Sequence, residues 1–213
     1  MASSTKTLTV IALTIAALIG SVLLISSLQV PTPEPQHALR LPEPMPLPEF
    51  ELLDQDGNQL TNTWFDDQWT LVFFGFTSCP DICPATLQVL SVARAQLASN
   101  DPDRELPDIL LVSVDPGRDT PETLLPYVAH FGDGVSGATG SLEELTKLTT
   151  TLGVYFAIED PASPDDSDNY NVAHSAHVVL VDNHGRYHAV FSAPHTVDAF
   201  VTDVPVLMGA GGR

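Results

Sequence analysis

Leu71-Val72-Phe73-Phe74-Gly75-Phe76-Thr77-Ser78-Cys79-Pro80-Asp81-Ile82-Cys83-Pro84 is the stretch on which the fold turns. Its first six residues form an apolar run of the kind that fills a strand buried on both faces. The residues that follow, Ala85 to Leu97, place Leu87, Leu90, Ala93 and Leu97 at helical spacing. A central strand therefore passes into a helix, and Cys79 and Cys83, the only cysteines among 213 residues, stand at the junction. A helix N-terminus carries partial positive charge and unpaired N–H groups, so lowered thiol pKa values are expected there. Residues i and i+4 of a first helical turn face one way, with Cα atoms roughly 6 Å apart. Such a pair is placed to close a disulfide or to offer two soft sulfur ligands to one metal. A purely structural bridge would close a loop too short to restrain the unfolded chain much.

Upstream, residues 8–30 contain no charged side chain and are mostly Leu, Ile, Val and Ala. As a helix they would measure about 34 Å, enough to cross a bilayer core. A cleaved signal peptide is the alternative, but the apolar region is long and Ser26-Ser27-Leu28-Gln29 is a poor cleavage sequence. Lys6 and the amino terminus are the positive charges before this segment, so residues 1–7 are expected in the cytoplasm and the globular part outside it. No Arg-rich, Ser-rich presequence precedes the span. The expectation is a single-pass protein of a bacterial inner membrane with its domain in the periplasm. Residues 31–48 hold seven prolines and are expected to resist helix and sheet, forming an extended tether of on the order of 55 Å. A spacer without preferred reach is the alternative, and His37 within it is expected to be solvated.

Residues 49–208 are a single-domain length. The pattern predicts a hairpin over 50–60 around Asp56-Gly57, strands at 69–76 and 109–114, and a helix starting near Thr120-Pro121. A second helix starts with a capping box at Ser141-Leu142-Glu143-Glu144 and buries Leu142, Leu145, Leu148 and Leu152. Strands at 178–181 and 187–191 flank the turn Asp182-Asn183-His184-Gly185, and a last helix carries Val197, Phe200, Val201 and Val204. This alternation predicts an α/β domain, a mixed sheet with helices on both faces. Residues 209–213 are expected to fray.

The strand leading into Cys79-Pro80-Asp81-Ile82-Cys83-Pro84 resembles the Sco/SenC family, thioredoxin-like proteins of cytochrome c oxidase assembly that bind copper. Val114-Asp115-Pro116-Gly117-Arg118-Asp119-Thr120-Pro121 is similar to a second family signature. Gly140-Ser141, Gly153-Val154-Tyr155-Phe156 and Tyr170-Asn171-Val172-Ala173-His174-Ser175 fit as well, so the resemblance covers roughly residues 49 to 204. It implies a thioredoxin-like fold and a copper site of Cys79, Cys83 and a distal His174. It also implies delivery to the oxidase subunit that carries the binuclear copper centre. A periplasmic copper donor and a thiol reductant would be further partners. The family usually has Asp where this chain has Ala173; if that carboxylate orients the imidazole or steers a partner, copper affinity or docking is expected to differ here.

Ligand chemistry agrees with what the resemblance implies. Cu(I) is soft and prefers thiolate, with imidazole completing a low-coordinate set, and Cu(II) is a second possible state. Structural zinc fits less well, since closed zinc sites use four ligands. The other histidines are expected to be structural or solvated, with His177 facing away from His174 by strand alternation. Asp115 is expected either to steer copper or a partner or to cap a turn, and Arg118 and Asp119 to shape the loop.

An alternative function is thiol–disulfide exchange that keeps the oxidase subunit's cysteines reduced, with Cys79 attacking and Cys83 resolving. Against it stand CxxxC in place of CxxC and no proline directly before Ser175. A peroxidase is less consistent still, because Phe76 and Pro80 stand where a Thr or Ser should precede the cysteine by three residues. With 27 acidic and 8 basic residues, nucleic-acid binding is excluded as a function. The Asp160 to Asp168 stretch is expected to be a solvated loop.

Overall fold

The computed structural model describes residues 13–15, 17–21, 33–159 and 170–209. Most of the expected membrane span at 8–30, the acidic stretch at 160–168 and the tail beyond Gly209 lie outside them. Among the described residues no helix is long and apolar enough to cross a membrane. One compact unit runs from Glu34 to the C-terminal region, and it carries everything that follows.

Its elements are β1 (Ala38–Pro46), β2 (Glu51–Asp54), β3 (Gln59–Thr61), a 3₁₀ turn (Asn62–Phe65), β4 (Thr70–Gly75), α1 (Ile82–Asn100), β5 (Asp108–Ser113), α2 (Pro121–Ala129), β6 (Val135–Thr139), α3 (Leu142–Leu152), β7 (Phe156–Ile158), β8 (Val172–His174), β9 (Val178–Val181), β10 (Arg186–Phe191) and α4 (Val197–Leu207). Eight strands form one mixed sheet in the order β1-β10-β9-β4-β5-β6-β2-β3, while β7 and β8 pair separately. The contacts β4–β5 and β5–β6 are parallel, and β4–β9 is antiparallel. Strand β4 is thus interior, and all six of its residues are buried. Phe73 and Phe74 point to opposite faces of the sheet, and each contributes about 1.5–3 kcal/mol by leaving water.

Alternation and turn chemistry anticipate the β2–β3 hairpin, β4, α1, β5, α2, α3, the β9–β10 hairpin and α4. Three details differ. Cys79 precedes α1, whose first residue is Ile82, so only Cys83 is helical. Leu142 is half exposed instead of buried. The Ser141 hydroxyl accepts from Glu144 N, but the Glu144 carboxylate accepts from Glu51 N and Lys147 Nζ, tying α3 to β2.

The proline-rich segment departs most from expectation. Ala38–Pro46 is strand β1, paired antiparallel to β10 with a register shift between Arg40 and Met45. An edge strand needs only one side's hydrogen bonds, so prolines at positions facing away or at an irregularity cost little there. Its start is fixed by Asp203 of α4, which is fully buried. That carboxylate accepts from the N–H groups of Gln36 (2.8 Å), His37 (2.6 Å) and Ala38 (2.7 Å). The Arg40 guanidinium adds a bond to Val206 O. The reach expected for 31–48 therefore does not apply, because residues from Gln36 onward belong to the fold. His37 is likewise anchored through its backbone, with its ring 3.9 Å from the Asp198 carboxylate.

At the other end of this sheet edge, Asp182 organises the β9–β10 turn. It accepts from His184 N, Arg186 N and Arg186 Nε. Burial alone would raise its pKa, but the Arg186 side chain and the two backbone donors outweigh burial and hold the carboxyl below its ordinary value.

Two stability predictions follow from these carboxylates. Asp203→Ala leaves the N–H groups of Gln36, His37 and Ala38 without their buried acceptor and should cost about 3 kcal/mol in denaturant unfolding, with amide exchange rising first in β1. For Asp182, the depressed folded pKa means its contribution is complete above the ordinary carboxylate range and fades as pH falls through it. Asp182→Asn should therefore cost about 1–2 kcal/mol at pH 7 and progressively less as pH falls below the ordinary carboxylate range toward the depressed folded pKa. A pH-independent difference would show that shape, not charge, holds the turn.

Candidate metal centre

Strand β4 ends at Gly75, and the absence of a side chain there makes room for a thiol. A Cβ on residue 75 would lie 2.9 Å from Cys83 Sγ and 2.9 Å from the Phe73 ring. Beyond it the chain turns, with Cys79 N donating to Phe76 O at 3.3 Å, and α1 then carries Cys83 back under the turn. Cys83 is fully buried, whereas Cys79 is partly exposed. Cys83 N donates to Cys79 Sγ at 3.4 Å.

The third group comes from the separate β7–β8 pair. His174 Nε2 lies 3.4 Å from Cys83 Sγ. Its Nδ1 is 3.0 Å from the carbonyl of Ser175. An oxygen acceptor there requires Nδ1 to carry the proton, which leaves the Nε2 lone pair facing the sulfurs. The Ser175 carbonyl thus answers the question raised by Ala173, whose own side chain is exposed. The ring edge packs against Phe76 at 5.7 Å and Phe73 at 6.1 Å between centroids. The ligand atoms of Cys79, Cys83 and His174 all lie within 4.8 Å of one another, close enough for one ion to bridge them. Among the described residues this is the one cluster of three or more such groups.

Electrostatics correct one expectation. The thiol of Cys83 is pushed up, not down, first by burial and then by its neighbour Cys79. Desolvation of a thiolate in an apolar setting outweighs the helix N-terminus. Burial also lowers the pKa of His174, so its imidazole stays neutral at neutral pH and available as a ligand. Without a metal the cluster holds its protons where the ligands are deepest.

A cleft of about 760 Å³ opens onto this group, lined among others by Cys79, Ile82, Tyr170, Ala173, His174 and His195. His195 borders the cleft, with its Nε2 2.6 Å from Ala176 O, and stands outside the ligand cluster. Strand β8 ends at His174, so the alternation argument for His177 has no strand to run along. His188 packs on Trp69 and His130 on Phe131, while His184 sits exposed in its turn.

The loop after β5 supplies residues whose role the sequence only hinted at. Asp115 and Asp119 are fully buried. Asp119 accepts from Thr77 N (2.9 Å), Thr77 Oγ1 (2.5 Å) and Ser113 Oγ (2.6 Å). Asp115 accepts from Arg118 Nε and from the Tyr170 hydroxyl (2.5 Å). Burial, with the Asp115 carboxylate, raises the Tyr170 phenol to about 12, so it remains a donor. Nothing in the spacing marks Tyr170, which lies 55 residues from Asp115.

Comparison with known proteins agrees with the geometry. The SCO1/SenC family profile matches residues 43–209. A Stutzerimonas stutzeri protein bearing a copper-binding name is 34% identical over 172 residues, 81% of each chain. Schizosaccharomyces pombe Protein sco1 is 35% identical over 69% of this chain, which spans 55% of that relative. Arabidopsis thaliana ScoI with copper bound superposes with a TM-score of 0.69 at 30% identity, covering 76% of this chain and 98% of that one. Apo Sco1 of Thermus thermophilus gives a TM-score of 0.67 at 32% identity, over 81% and 98%.

The unequal burial of the sulfurs is directly measurable. With limiting iodoacetamide under reducing conditions, Cys79 should be alkylated at least about tenfold faster than Cys83, as read by peptide mass spectrometry. Equal rates would mean that the buried position of Cys83 is not maintained in solution.

Proposed function

The chain belongs to the SCO1/SenC family, and from that premise we propose that it is a copper chaperone whose cargo is held by Cys79, Cys83 and His174. The observation that carries this reading is the convergence of two sulfurs and one imidazole nitrogen within 4.8 Å. Two thiolates and a neutral imidazole are a soft donor set suited to Cu(I), and they leave a coordination shell that an incoming ligand can enter. With Cu(I) the group carries one net negative charge, so binding must release the thiol protons, including the tightly held one of Cys83. Cys79, at the mouth of the cleft, is the ligand a recipient reaches first.

The recipient in this reading is the copper-containing subunit of cytochrome c oxidase. The chain's relatives include ScoI with copper bound. Residues 8–30 would anchor the protein in a bacterial inner membrane with the domain in the periplasm. Their uncharged length supports the anchor, and Lys6 ahead of them supports the orientation.

One observation favours a second activity on the same residues. A partly exposed Cys79 beside a buried Cys83 is the placement of an attacking and a resolving thiol. Cys79 Sγ would attack a partner disulfide and release one partner thiolate. Cys83 Sγ would then displace the second, leaving Cys79–Cys83 oxidised and the partner reduced by two electrons. Reduction of the pair is needed for copper capture in any case.

Titration of the reduced chain with Cu(I) against a competing chelator tests the reading. One tightly bound ion is expected, lost in Cys79→Ser and Cys83→Ser. In His174→Ala affinity should fall about tenfold or more, with the cysteine redox couple intact. Undiminished affinity in Cys83→Ser would sink the two-thiolate site. Absence of tight copper binding in the parent chain would leave disulfide exchange as the function.

A further inference from the structure

The two halves of the site come from segments 91 residues apart, and His174 stands on a two-stranded pair outside the main sheet. Hydrogen bonds within that pair, such as Glu159 N to Asn171 O and Ser175 N to Tyr155 O, hold it to itself. They do not set its distance from the cysteines. The loop after β5 does reach both sides.

Toward the cysteines, Asp119 takes both the N–H and the hydroxyl of Thr77, two residues before Cys79. Toward the histidine, Asp115 takes the Tyr170 hydroxyl, and Arg118 Nη1 donates to Tyr170 O at 3.1 Å. The Arg118 guanidinium also lies 3.9 Å from the Tyr170 ring centroid and 5.7 Å from that of Phe76, which packs on His174. A side chain at Gly117 would collide with the Tyr170 hydroxyl, since its Cβ would stand 2.9 Å away. Asp115 and Asp119 are joined in turn, because Ser113 Oγ donates to Asp119 and accepts from Asp115 N.

We propose that the loop Asp115–Asp119 is a two-armed brace that sets the separation between the thiol pair and His174, with Tyr170 as the positioning residue on the histidine arm. This rests on the copper-site reading for its purpose but not for its geometry. Charge-assisted bonds to two buried carboxylates hold both arms, so each ligand-bearing segment is fixed to one loop in addition to the direct packing of His174 on Phe76. Preorganisation of this kind lowers the cost of bringing a third ligand onto an ion.

The test is Tyr170→Phe, which removes one hydroxyl and keeps the ring under Arg118. In the metal-free chain, the His174 imidazole nitrogen resonances should shift or broaden in Tyr170→Phe, while the Cys79–Cys83 redox midpoint stays unchanged. Thr77→Val should do the converse, moving the midpoint and leaving the imidazole signals in place. With copper, Tyr170→Phe should weaken Cu(I) binding about fivefold in the parent background and less than twofold in His174→Ala. An unchanged imidazole spectrum, or an equal loss of affinity in both backgrounds, would overturn the brace. If the parent chain binds no copper, the copper reading fails, and the metal-free spectra still decide the brace.

Discussion

Six consecutive residues from Thr70 to Gly75 are buried, with β5 hydrogen-bonded along one edge of the strand and β9 along the other. A strand held on four sides cannot slide by one residue without turning every side chain to the wrong face. The end of that strand therefore falls at a fixed point, and Gly75 stands there. Because residue 75 has no Cβ, the Cys83 sulfur occupies the space a side chain would take. The position of the Cys83 sulfur is thus set by core packing, and close-packed interiors yield little. An added methyl at residue 75 would press on both the sulfur and the Phe73 ring, so fold and site share one constraint.

That coupling explains why much of the fold was legible. A six-residue apolar run followed by helical periodicity has few alternative foldings, and Asp182-Asn183-His184-Gly185 and Thr120-Pro121 punctuate the chain by known local chemistry. Strand β1 was not legible, because its prolines argue against sheet unless the strand is known to lie at an edge. The feature that makes it one, the Asp203 carboxylate, lies 165 residues from the Ala38 N–H it accepts. Strand β6, Val135-Ser136-Gly137-Ala138-Thr139, carries too little apolar character to announce itself. Its small residues instead suit close packing, with a Cβ on Gly137 meeting Val128 of α2 at 3.0 Å.

For the site, spacing suffices to pair Cys79 with Cys83, but only the family resemblance points to His174. No local pattern connects an imidazole to sulfurs 91 residues away. Expectation and structure also differ in the sign of the effect on Cys83. Helix position is visible in sequence and depth is not, and here depth prevails, raising the thiol pKa. A similar gap concerns Ala173. A carboxylate that could orient the imidazole is missing at Ala173, yet a main-chain carbonyl one residue beyond His174 holds its Nδ1. Backbone groups are present at every position and so leave no mark in the residue types.

The raised thiol pKa bears on how such a site discriminates among ions. A buried protonated thiol next to a neutral imidazole offers little to a hard cation, which would have to displace the proton and accept desolvation for weak bonds in return. A soft monovalent ion recovers that cost through its bonds to sulfur and cancels one of the two thiolate charges. For the proposed chaperone the same burial would give release a direction. Cys83 is enclosed by β4 and α1, whereas Cys79 and His174 both border the open cleft. In the proposed chaperone role an entering ligand would meet the ion from the side of those two, and Cys83 would be the last contact broken. In that role selectivity and order of exchange would both follow from one asymmetry, the depth of one sulfur relative to the other.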